Sequence, residues 1–149
     1  MERKIFLKPP HYFFFCLILS LALYSMIPQL NLIIFPWNLL GIVLVGLGSY
    51  IFYLASKLFK KYKTPISFEE STHLITEGVF KYTSNPIYFG GLVFLVGISL
   101  LLGNIASFIS PVILFLVINY MFIPFEEEKG ERDFGQEYLN YKKKVRRWL

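Results

Sequence analysis

Charge is missing from most of this 149-residue chain. No Asp, Glu, Lys or Arg occurs from Pro9 to Ser56, and none from Tyr82 to Phe125. Such stretches exclude an ordinary soluble domain, in which about a quarter of the residues are charged. Here 17% are charged and 55% are hydrophobic. Cysteine is nearly absent too. Cys16 is the only one, which excludes an internal disulfide and a CxxC metal or redox pair. His73 has no neighbours at metal-ligand spacing, no Ser/His/Asp grouping stands out, and no glycine-rich loop of the phosphate-binding kind is present.

What is there is apolar sequence in two long runs. A membrane-spanning helix needs about 20 apolar residues, and each run is about twice that, so each reads as a helical hairpin. Pro28, Asn31, Pro36 and Asn38 interrupt the first run, and Gly103-Asn104 interrupts the second. The predicted spans are residues 12–27, 36–59, 87–102 and 105–125. Pro111 either kinks the fourth helix or marks its late start. The expected fold is an all-α integral membrane domain over residues 1–149, with about four transmembrane helices and a C-terminal amphipathic interfacial helix.

All 15 Lys and Arg residues fall before the first span, from the last turn of the second span to the start of the third, or after the fourth. The positive-inside rule then places both termini and the loop 60–85 in the cytoplasm, with the inner membrane of a prokaryote as the expected setting. The first span follows basic residues as a cleaved leader would, but only the poor site Leu23-Tyr24-Ser25 follows it, so it is expected to stay. The net charge of +5 is accounted for by groups flanking membrane spans, where anionic headgroups attract them. No nucleic-acid partner is expected.

Polar chemistry then belongs to the loop 60–85 and the tail 126–149. In the tail, Phe134, Tyr138, Tyr141, Val145 and Trp148 recur at helical spacing, flanked by Lys142, Lys143, Arg146 and Arg147. That pattern fits a helix lying in the membrane interface. Glu126, Glu127 and Glu128 stand where the fourth span leaves the membrane, and carboxylates there are costly unless solvated or turned toward a cation. In the loop, Pro86 opens the third helix with Asn85 at its N-cap, and Gly90-Gly91 leave room for a close neighbour.

Two segments carry a family pattern. One reads His73-Leu74-Ile75, Gly78-Val79-Phe80 and Ser84-Asn85-Pro86-Ile87-Tyr88. The other reads Glu126-Glu127, Phe134-Gly135, Glu137-Tyr138, Tyr141, Val145 and Arg147. Together, at either end of the second hairpin, they resemble the isoprenylcysteine carboxyl methyltransferases and the related phospholipid N-methyltransferases over residues 72–149. The resemblance implies a membrane methyltransferase that uses S-adenosylmethionine on a lipid-like or small hydrophobic acceptor. It places the cofactor on Thr72, His73, Leu74, Ile75, Phe80, Asn85, Pro86, Ile87, Tyr88 and Glu126. It assigns no catalytic residue and no metal, since the protein mainly has to align donor and acceptor.

The types fit that cofactor: a carboxylate for its ammonium, helix N–H groups for its carboxylate, and aromatic faces for its adenine or sulfonium. Three positions depart from the family pattern. Ser84-Asn85 replaces an Arg-His pair, Gly130 replaces a Leu, and Phe122 stands where prenylcysteine enzymes carry an Arg. The last argues against a carboxylate acceptor held in the same way. The alternative expectation is a non-catalytic membrane scaffold or assembly protein that keeps the fold.

Overall fold

Prolines open these helices and glycines end or bend them. The computed structural model describes residues 8–66 and 72–149. Helix α1 (Pro9–Met26) starts on a proline pair, where the N–H that proline lacks has no intrahelical acceptor in any case. A short turn at Trp37–Leu39 leads into α2 (Leu40–Lys61), whose last turn carries Lys60 and Lys61 at the negative end of the helix dipole. Helix α3 (Pro86–Leu102) again starts on proline and stops at Gly103, whose φ of 69° favours glycine.

Asn104 caps the next turn by accepting the Ser107 N–H at 3.2 Å. A 3-10 turn (Ile105–Phe108) then passes into α4 (Ile109–Val117), a π-helical turn (Ile118–Phe122) and α5 (Ile123–Lys144). Pro111 sits in the first turn of α4, after the 3-10 turn, and so marks a late α-helical start.

The protein is an all-α membrane protein. Three stretches are long and apolar enough to cross a bilayer: Pro9–Met26, Trp37–Lys61 and Ile105–Lys144. The apolar helix Pro86–Leu102 is shorter, at 17 residues. Among the described residues there is no strand. The up-and-down order gathers Lys8, the lysines ending α2, Lys81 and the tail at one end. The turns around Pro28–Leu30 and Gly103 lie at the other.

Helices α2 and α3 form the tightest pair, along a seam of glycines. A Cβ on Gly48 would lie 2.6 Å from the carbonyl oxygen of Gly90, and one on Gly41 would lie 2.4 Å from that of Gly97. Lipid tails are as apolar as leucine, so close backbone packing of this kind replaces the hydrophobic drive that joins helices in water. Helix α1 lies against α3 and α4, with Cys16, Leu95, Leu114, Ile118 and Ile123 buried between them.

At the uncharged end, side-chain hydroxyls and amides join the helices. Ser107 Oγ donates to the Ser20 carbonyl at 2.8 Å, and Ser99 Oγ donates to the Ser107 carbonyl at 3.0 Å. Asn104 Nδ2 donates to the Ile27 carbonyl at 2.9 Å and to Asn31 Oδ1 at 2.7 Å.

The tail differs from its sequence expectation. Helix α5 leaves the apolar region at Phe125 and continues to Gly135, where φ is 51° and the helix breaks. The residues after it fold back, and the ring of Tyr138 lies where a Cβ on Gly130 would be, 2.7 Å away. The glycine that replaces leucine at 130 therefore makes room for Tyr138. The aromatic stripe that suggested an interfacial helix faces inward: Tyr138 and Tyr141 are buried with Leu74, and Phe134 and Val145 pack on them.

Candidate active site

At the charged end the helices enclose a cavity of about 640 Å³, within the range of about 300–1,000 Å³ usual for small-molecule sites. Its walls come from both motif segments. The loop contributes His73, Leu74, Ile75 and Phe80, the start of α3 contributes Asn85, Pro86, Ile87 and Tyr88, and α5 contributes Glu126. Nine of the ten residues named from sequence thus line one space. Thr72 stands outside it, exposed, with its backbone N–H donating to Thr64 Oγ1 at 3.0 Å.

Each wall is held from behind. Ile75 and Phe80 are buried on Ala55 of α2, and Phe80 meets Phe59 edge-on at 5.8 Å. Tyr141 donates its hydroxyl to the Phe80 carbonyl at 2.7 Å, tying the tail to the loop. His73 stacks on Tyr62 with ring centres 4.3 Å apart. Tyr88 donates to Glu126 Oε1 at 2.5 Å, joining the first turn of α3 to α5 across the cavity. The first N–H groups of α3 have no intrahelical acceptor, and the first-turn residues Ile87 and Tyr88 line the cavity.

The three adjacent glutamates have three different positions. Glu126 lines the cavity beside Tyr88. Glu127 pairs with the tail: Arg147 Nε and Nη2 each reach its carboxylate at 3.0 Å, and Lys142 Nζ reaches it at 3.1 Å. Burial pushes the Glu127 carboxyl up, but the hydrogen bonds from Arg147 and Lys142 outweigh this and hold it below the usual glutamate range. Glu128 is exposed.

Asn85 occupies the N-cap position of α3, yet its side chain makes no cap hydrogen bond there. Its amide nitrogen instead donates to the Arg147 carbonyl at 3.0 Å and to Ser84 Oγ at 2.9 Å. Thr83 Oγ1 accepts the Asn85 N–H at 3.1 Å and donates to the same Arg147 carbonyl, so backbone and side chain of this turn are both tied to the tail.

Sequence reasoning left out part of the lining. Phe13 and Phe14 of α1, Gly48 and Phe52 of α2, and Phe94 of α3 extend the cavity into the apolar layer. Phe122 closes it on the α4–α5 side, buried and edge-on to Tyr12 at 5.4 Å. Phe14 and Phe52 line the cavity while remaining 59% and 46% exposed, which marks an opening between α1 and α2 toward the bilayer. No local motif marks such residues, because any span is rich in Phe. The π-helical turn is a structural sign of the site, since turns of this kind often sit at functional positions. Ile118 and Phe122 bound it, and both face the cavity.

Comparison with known proteins shows the family. The phospholipid methyltransferase family model matches residues 36–137. An uncharacterized protein of Haemophilus influenzae is 44% identical over 63 residues, which are 42% of this chain and the whole of that one. Protein-S-isoprenylcysteine O-methyltransferase B of Arabidopsis thaliana is 36% identical over 81 residues, 52% of this chain and 39% of that protein. A probable protein-S-isoprenylcysteine O-methyltransferase of Oryza sativa subsp. indica is 33% identical over 112 residues, 70% of this chain and 56% of that protein. The matched region thus spans between 39% and 56% of these two methyltransferases. No solved structure matches the chain. With the family pattern extending from the start of α2 into the folded-back tail, the chain belongs to the phospholipid methyltransferase family.

Proposed function

We propose that this protein is an S-adenosylmethionine-dependent membrane methyltransferase whose acceptor is a lipid-like or small hydrophobic molecule. The observation that carries this is the cavity itself. It is polar and carboxylate-bearing at the charged end, aromatic and apolar where it enters the membrane layer, and open toward lipid between α1 and α2.

The residues present suit the cofactor. Glu126 is placed for the ammonium, the first-turn N–H groups of α3 for the carboxylate, and Leu74, Ile75, Phe80 and His73 for the adenosine. The cofactor supplies a methyl group already activated on a sulfonium. The protein's work is to bind both partners in line and keep water out. Tyr88 fixes the Glu126 carboxylate, and Phe122 with Tyr12 forms an apolar wall near the donor end. The acceptor enters sideways past Phe14 and Phe52. By the positive-inside rule the cavity's charged end faces the cytoplasm, where the soluble cofactor is found.

Calorimetry on protein in nanodiscs tests the reading. Saturable binding of S-adenosylmethionine supports it. Absence of binding rejects it and leaves a non-catalytic membrane protein. Radiolabelled methyl transfer onto a total membrane extract then identifies the acceptor class.

A further inference from the structure

Within the tail 145–149, Arg146, Arg147 and Trp148 touch both sides of the cavity at once, a role that the family pattern does not assign to them. On the α5 side, the Arg147 guanidinium grips Glu127 through two nitrogens at 3.0 Å, and Nη1 reaches Asn119 Oδ1 at 3.3 Å. Trp148 Nε1 donates to the same Asn119 oxygen at 3.1 Å, and its ring lies 5.2 Å from Phe115. On the α3 side, the backbone of the same residues does the holding. The Arg147 carbonyl accepts from Thr83 Oγ1 and from Asn85 Nδ2, both at 3.0 Å, and the Arg146 carbonyl accepts the Ser84 N–H at 3.0 Å.

We infer that residues 145–149 form a latch that sets the spacing of the donor subsite, with Arg147 and Glu127 as positioning residues. The geometry is specific. Glu127 and Asn85 both line the cavity, beside Glu126 and Pro86, so the latch holds its two walls directly. Arg147 serves both walls, with its side chain on one and its carbonyl on the other. Release of the guanidinium from Glu127 also loosens the carbonyl from Thr83 and Asn85, and the first turn of α3 then moves relative to Glu126. A planar, two-pronged guanidinium is required for this, since an ammonium cannot meet both carboxylate oxygens and Asn119 together.

The inference rests on the proposed donor site and deepens it. The test is S-adenosylmethionine affinity in nanodiscs for the wild type and for Arg147→Ala, Arg147→Lys, Glu127→Gln and Thr83→Val, with the melting temperature of each. Arg147→Ala and Glu127→Gln are expected to weaken binding by about tenfold or more, a ratio that corresponds to about 1.4 kcal/mol. Arg147→Lys should fail to restore it, and Thr83→Val should give a smaller loss. A strap that only stabilises the fold would lower the melting temperature and be rescued by lysine. That rescue, or affinity within twofold of wild type in the alanine variant, overturns the latch while the methyltransferase reading stands.

If the wild type binds no donor, the methyltransferase reading fails instead. The latch is then judged by hydrogen exchange at residues 84–88. Faster exchange there in Arg147→Ala supports it, and unchanged exchange overturns it.

Discussion

The two ends of this molecule both bury polar groups, and they use them differently. At the uncharged end, Ser20, Ser99, Ser107, Asn31 and Asn104 are neutral and hydrogen-bond one another or nearby carbonyls. At the charged end, Tyr88, Glu126 and Asn85 surround a cavity, and their neighbours Glu127 and Arg147 hold its walls. Polar density alone therefore does not locate function in a membrane protein. Function follows where polar groups converge on a space. The first end is a clasp that joins helices, and the second surrounds the proposed donor site.

Substitutions should separate the two. The glycine seam serves both ends, so it comes first. Gly48→Ala and Gly41→Ala each place a methyl against a facing carbonyl oxygen, and helices α2 and α3 must part to admit it. Each is expected to cost about 2–3 kcal/mol, seen as a lower melting temperature in detergent. Gly48 also lines the cavity, so only its variant should disturb ligand binding. Tolerance of alanine at both positions would dismiss the seam as the element that joins the ends.

Next in size is Glu126→Gln. It removes a charge-assisted contact worth about 2 kcal/mol, so S-adenosylmethionine affinity should fall by more than tenfold with little change in melting temperature. Asn104→Ala is the mirror image. It strips the clasp of three hydrogen bonds and should cost about 1–2 kcal/mol of stability, leaving donor affinity unchanged. If Asn104→Ala weakens donor binding as strongly as Glu126→Gln, the division between clasp and site is wrong.

Much of this division was readable in the sequence. Charge-free runs marked the spans, Gly103-Asn104 marked a turn, and nine of ten motif residues share one cavity. What escaped depends on tertiary placement. The stripe Phe134, Tyr138, Tyr141, Val145 and Trp148 keeps its period whether the tail runs straight or folds back. The choice lies in the backbone of Gly135 and the space at Gly130. The three glutamates look alike by composition and periodicity; the family resemblance singles out Glu126, and the contacts of Tyr88 and Arg147 show what separates it from Glu127. Asn85 suits a helix cap by type, yet its amide is taken by the Arg147 carbonyl of the folded-back tail. Thr72 lies beside true lining residues, but its backbone is drawn outward to Thr64.

Acid should open the charged end and leave the clasp intact, because the clasp contains no titrating group. Glu127 has a folded pKa below the ordinary glutamate value of 4.5, as its pairing with Arg147 and Lys142 outweighs the effect of burial. A carboxylate lowered in this way adds stability that is complete above its unfolded pKa and is lost as pH falls through the folded one. The contribution is therefore intact at neutrality and disappears below about pH 4.5, with a size on the order of 1 kcal/mol for a partly exposed pair. Trp148 reports on it, being held by Asn119 beside Arg147. In a Trp37→Phe background, Trp148 emission should stay constant from pH 8 to about 5 and change below that. The Glu127→Gln variant should show the released emission at every pH. If that variant titrates as the parent does, Glu127 is not the group that holds the tail, and the acid response belongs to another carboxylate of α5.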